Sequence, residues 1–123
     1  MTIQQERQWT ALVDEADRAG LAAFLDPGPS AYGLGVAGYS WIRVKPATGA
    51  FARWLVRTGR ANRDDYAGGI AVMSAELVEP ERVPTIEPVQ AQQSAVRHAA
   101  YARAFAAVLA NQGVPAFAED HLD

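Results

Sequence analysis

Residues 39–45 read Tyr-Ser-Trp-Ile-Arg-Val-Lys, an alternation of period two that predicts a β-strand, and Pro46 ends it. Successive side chains of a strand point to opposite sides, so Ser40, Ile42 and Val44 share one face. Tyr39, Trp41, Arg43 and Lys45 share the other. A strand with an oily half must lay that half against another layer, which commits the chain to a layered fold containing a sheet. With 123 residues the chain has the length of one domain, and no linker or internal repeat divides it.

The remaining elements are arranged around this strand. Thr2 and Gln5 have capping-box spacing, and Trp9, Leu12, Val13 and Ala16 follow at helical intervals, which predicts a first helix over about 3–24. Gly20 is its expected stop or kink, and Pro27-Gly28-Pro29 is a break. After the strand, Thr48 is a candidate N-cap for a second helix to about Thr58, closed by Gly59. At 100° per residue, Phe51, Trp54 and Leu55 fall on its inner side, with Arg53, Arg57 and Arg60 outside. Residues 70–75 predict a short strand buried on both faces, since they carry no charge. Pro80, Pro84 and Pro88 punctuate an arm over about 79–90 that is expected to be an edge strand or extended loop. A third helix follows over about 91–111, rich in alanine, with an apolar row at Tyr101, Phe105, Val108 and Leu109. Gly113 and Pro115 close it, and Val114 to Ala118 can form a last strand. The expected fold is α/β (α+β), a single two-layer sandwich in the order α-β-α-β-α-β. Its core covers about 36–118, in a small sheet of about three strands with helices mainly on one face.

Composition removes whole classes of chemistry. There is no cysteine, which excludes disulfide scaffolds, zinc ribbons, Fe–S sites and thiol catalysis. No apolar run approaches the ~20 residues of a membrane span, and the polar N-terminus does not resemble a secretory signal, so the expectation is a soluble, cytoplasmic domain without a membrane partner. Net charge is −3, but it is unevenly placed. Between Gly38 and Arg63 there are six basic residues and no acidic one, and the rest of the chain carries −9. Such asymmetry suggests an anionic partner for the basic segment, or charge complementarity within the fold or across a dimer.

Several blocks of the sequence resemble a family of small, mostly uncharacterised proteins carried by phages, plasmids and other mobile elements. They are Gly38-Tyr39-Ser40-Trp41-Ile42, Phe51-Ala52-Arg53-Trp54-Leu55, Tyr66-Ala67-Gly68-Gly69, Gln93-Ser94 with Arg97, Ala100-Tyr101-Ala102-Arg103-Ala104-Phe105-Ala106, Leu109, Gly113 and Leu122-Asp123. The resemblance spans roughly 38–123 and omits the first helix. The proline arm is longer than in that group. The resemblance implies an accessory protein of a bacterium or its mobile DNA and carries over no catalytic residue.

Few residues point to chemistry. Gly33-Leu34-Gly35-Val36-Ala37-Gly38 spells G-x-G-x-x-G, but a proline loop precedes it and a strand follows, the reverse of the context a dinucleotide needs. No cofactor is therefore expected. Glu119, Asp120, His121 and Asp123 contain metal-ligand atoms but fall on the chain end, which reads as a solvated tail. His98 beside the Tyr101–Phe105 row reads as a half-buried histidine. Asp64-Asp65 is an adjacent carboxylate pair in a turn, where neighbours point apart. Tyr39, Trp41, Arg43 and Lys45 place rings beside cations as single-stranded nucleic acids require. The competing reading has the first helix covering the two rings, with Arg43 and Lys45 at the rim. Gln93 and Ser94 with Arg97 form a candidate anion site at a helix start, against simple capping by Ser94.

Three functions follow. The first is a non-enzymatic interaction module that binds a protein partner or itself, motivated by the absent catalytic set and the acidic proline arm. The second is a nucleic-acid-binding accessory factor using Tyr39, Trp41, Arg43, Lys45, Arg53, Arg57 and Arg60. The third is a small enzyme on an anionic substrate held by Gln93, Ser94 and Arg97.

Overall fold

A computed structural model describes residues 2–29, 33, 36–73 and 77–122. The elements are α1 (Ile3–Leu25), β1 (Gly38–Val44), α2 (Ala50–Arg57), β2 (Asn62–Arg63), β3 (Ile70–Met73), a 3-10 turn (Pro80–Arg82), α3 (Pro88–Gln93), α4 (Ala95–Asn111) and β4 (Ala116–Leu122). The fold is α+β, with one antiparallel sheet in the order β2-β3-β1-β4. Among the described residues the sheet thus has four strands rather than three, and the element order departs from simple α-β alternation. Asn62 and Arg63 form the extra strand by pairing with Ala71 and Ile70 across a tight hairpin.

β1 sits at the centre, paired with β3 on one side and β4 on the other. Its even face is the expected oily half: Ser40, Ile42 and Val44 are 1 %, 0 % and 3 % exposed, and their cross-strand neighbours Ile70 and Val72 are buried too. Phe105 and Leu109 of α4 and Phe51 and Leu55 of α2 lie over this face. Trp9 of α1 packs edge-on against Phe51, 5.6 Å between rings, which joins α1 to α2.

Gly20 does not stop α1, which continues to Leu25. It sits inside the helix, where an added Cβ would lie 2.6 Å from the Tyr101 ring, so the glycine permits close approach of α1 and α4. Thr2 caps α1 as its spacing predicts, accepting from the Gln5 N–H at 3.0 Å. α2 starts one residue later than expected, with Gly49 at the N-cap.

Four other expectations are corrected. β3 is buried on one face only, since Ala71 is half-exposed while Ile70 and Val72 are covered; residues 74–76 of that expected strand lie outside the described residues. The proline arm is not extended: Pro80 and Pro88 each open a short helix, where a missing N–H costs nothing. The third helix is two, because Ser94 leaves the helix to cap α4 and forms a bridge with Ala37. Last, the supposed solvated tail is strand: β4 runs to Leu122 and pairs with the whole of β1. Asp123 and, in the glycine-rich lead-in, Leu34 and Gly35 lie outside the described residues.

Candidate interaction surface

α1 packs on α4. On the odd face of β1, Tyr39 lines a cavity together with Ala95, Ala99 and Arg103 of α4. Tyr39 and Trp41 stack at 5.6 Å between rings, and His121 of β4 lies 5.1 Å from Tyr39. Both aromatic rings are half-buried, and the indole N–H of Trp41 has no hydrogen-bond partner among the described residues. Phe117, opposite Arg43, is 45 % exposed. Tyr66 stands fully exposed at the tip of the β2–β3 hairpin.

Arg43 is neither at a rim nor free to meet a ligand. It is 2 % exposed and held by three groups. Its Nε donates to Glu119 of β4, one NH2 group pairs with Asp64 at 2.9 Å, and the other donates to the Gly68 carbonyl at 2.7 Å. Burial opposes the Arg43 charge, but the Glu119 and Asp64 carboxylates outweigh it and hold the guanidinium above its ordinary pKa. The Ala67 N–H, the Arg43 guanidinium and the Tyr66 N–H hold the Asp64 carboxyl below the usual carboxylate range. Asp64 thereby caps its own loop and presents the Gly68 carbonyl to Arg43. Gly69 closes that loop at φ +72°, where a Cβ would strike the Val44 carbonyl at 2.5 Å. Arg43 ties together β1, β4 and the hairpin that carries Tyr66. The face is aromatic, and its one central cation is neutralised. Lys45 is exposed beyond it.

Among the described residues β4 is an edge strand, bonded only to β1. Its phase follows from one bond: Lys45 donates to the Pro115 carbonyl at 3.1 Å, in register with the Val44–Ala116 pair. Bonded and non-bonded pairs alternate along an antiparallel ladder. Phe117, Glu119 and His121 therefore spend their backbone groups on β1, while those of Ala116, Ala118 and Asp120 point to the free edge. The Asp120 side chain accepts from Ser40 at 3.1 Å and pairs with Arg103 at 2.7 Å.

The arginines of α2 lie elsewhere, as the opposite faces of β1 require. Arg53 and Arg57 share a shallow groove of about 250 Å³ with Arg63 of β2. Arg57 also reaches Glu6 at 3.6 Å. Arg60 is turned aside, its guanidinium 4.6 Å over the Trp54 ring.

Gln93, Ser94 and Arg97 do not converge on open space. Ser94 caps α4, accepting from the Arg97 N–H at 3.3 Å, and Gln93 is exposed. Arg97 is 8 % exposed and donates to the Phe24 and Leu25 carbonyls, at 2.7 and 3.2 Å, closing the end of α1. His98 is fully buried rather than half-buried. Its Nε2 lies 2.8 Å from the Ala91 carbonyl, and burial pushes its pKa below the ordinary value despite the carbonyls of Ala91 and Gln92. No group of three or more metal-ligating side chains occurs among the described residues.

Sequence reasoning missed one polar cluster altogether. Asp17 of α1 accepts from the Tyr101 hydroxyl and from Arg82 at 2.6 and 3.2 Å, pinning the proline arm to α1 and α4. Burial would raise the Asp17 carboxyl, but the hydrogen bonds of Arg82 and Tyr101 bring it below its usual range. The only sequence hint was Asp17 on the same helical face as Gly20.

No helix of the described residues is long and apolar enough to cross a membrane. Comparison with protein families, with curated proteins and with solved structures finds no match.

Proposed function

We propose that this protein is a non-catalytic interaction module that adds a strand to β4, from a second copy of itself or from an extended segment of a protein partner. The observation that carries this reading is the seven-residue free edge of β4, next to an exposed Phe117 and an aromatic sheet face. Unpaired edges recruit strands by main-chain hydrogen bonding, with alternate side chains supplying specificity. Two copies of β4 paired antiparallel about Ala118 oppose Ala116 to Asp120 and Phe117 to Glu119, with no like charges face to face. The setting, an accessory protein of a bacterium or mobile element, rests on the residue blocks alone.

Light scattering across protein concentration tests the reading, with Ala118→Pro as the control. Proline at 118 removes an outward N–H and leaves the bonds to β1 intact, a substitution edge strands tolerate. The wild type is expected to gain mass with concentration and the variant to remain monomeric. Identical behaviour of the two would refute self-pairing along β4.

A second reading, a nucleic-acid-binding accessory factor, is favoured by the groove that gathers Arg53, Arg57 and Arg63. The Arg43 cluster counts against the sheet face as its platform, so the arginine groove would have to carry it alone. Binding to oligonucleotides should then weaken steeply with salt and vanish on combining Arg53→Glu with Arg57→Glu. No binding at low salt ends this reading.

A further inference from the structure

A cleft separate from the β4 edge enters the helix-covered side of the domain. It encloses about 360 Å³, a volume typical of small-molecule sites. Its floor is core: Val44 and Val72 of the sheet, Phe51 and Leu55 of α2, and Phe105 and Leu109 of α4. Interiors are close-packed, and apolar walls hold water poorly, so space of this kind favours an apolar guest.

Four charged groups are among its lining, Asp14, Asp17, Arg60 and Arg82. Two are already engaged, since Asp17 holds Arg82 through both carboxylate oxygens. Neither Asp14 nor Arg60 takes part in an ion pair among the described residues. They differ in how they are held. The Arg60 guanidinium lies 4.6 Å over the ring of Trp54, which is itself buried, so the cation is oriented before any ligand arrives. Asp14 is an exposed side chain on α1 with no such support. A guanidinium presented in this way suits a carboxylate, which it can engage with two parallel hydrogen bonds.

We infer that the cleft between α1, α2, α4 and the sheet binds a small monocarboxylate with an apolar body, the body on the Val72–Leu109 floor and the carboxylate on Arg60. Its occupancy is independent of strand pairing at β4.

Isothermal titration with three probes that share one body tests this: 4-phenylbutyrate, 4-phenylbutanol and 4-phenylbutylamine. The carboxylate should bind about tenfold more tightly than the alcohol, the usual advantage of a charge-assisted hydrogen bond. Arg60→Gln, an exposed change, should bring the acid down to the affinity of the alcohol. Val72→Phe should abolish binding of all three by filling the floor. Should that variant fail to fold, Leu77→Trp at the half-exposed mouth provides the same block. Equal affinity of acid and alcohol, preference for the amine, or no binding by any probe would each overturn the assignment. So would acid binding that survives both the Arg60 change and the blocked cleft.

Discussion

The two faces of β1 differ in what holds them. On the even side Ser40, Ile42 and Val44 are sealed by helices, and their burial is apolar and continuous with Ile70 and Val72. On the odd side Arg43 is held by carboxylates and a carbonyl drawn from β4 and the hairpin loop. One side is kept by the hydrophobic effect, which is indifferent to direction; the other by a directional ionic knot, beside which Tyr39 and Trp41 are half-buried and Phe117 is exposed. A sheet face can be rigid without being oily throughout.

This contrast can be broken from either side. Ile42→Ala empties a fully buried position and should cost about 3–4 kcal/mol, read as a lower urea midpoint with an unchanged slope. Arg43→Met keeps the bulk but strands Glu119 and Asp64, which retain some solvent, so the cost should be nearer 2 kcal/mol. It should also loosen the hairpin, seen as faster amide exchange at Gly68 and Gly69. A loss as large as that of Ile42→Ala would mean that the odd face is core after all.

The helix side has its own pH signature. The folded pKa of His98 lies below its unfolded value near 6.5, so the unfolded chain binds more protons below that pH. Stability should be full above about pH 7 and fall as the pH drops through 6.5, by at most about 1.4 kcal/mol per unit. His98→Gln should flatten that part of the profile. A wild-type midpoint that is constant from pH 7 to 5 would contradict burial of a neutral imidazole. Smallest of all, Phe117→Ala should change stability by less than about 0.5 kcal/mol, because the ring is 45 % exposed, while weakening self-association.

What the sequence made legible was whatever repeats with a period. The alternation over 39–45 placed β1 and its two faces, and the helical spacing of Phe51, Trp54 and Leu55 oriented α2. Gly59 and Gly113 marked helix ends, and both adopt positive φ there. Long-range polar pairing has no period. Nothing local to Glu119 says that it meets Arg43 seventy-six residues away, and chain-end position suggested a tail where β4 completes the sheet. Arg43 beside two rings and Arg97 at a helix start read as ligand groups, yet each is spent inside, one on two carboxylates and a carbonyl and the other on the carbonyls of α1. Proline spacing alone implies an extended arm, although the first turn of a helix accepts proline, as Pro80 and Pro88 show.

Residue-resolved amide exchange along β4, at low and high protein concentration, tests the free edge most directly. In dilute solution Phe117, Glu119 and His121 should exchange slowly and Ala116, Ala118 and Asp120 quickly, and on concentration the second set should become protected. Protection of Ala118 and Asp120 that is already present in dilute solution, or exchange that ignores concentration, would contradict the account.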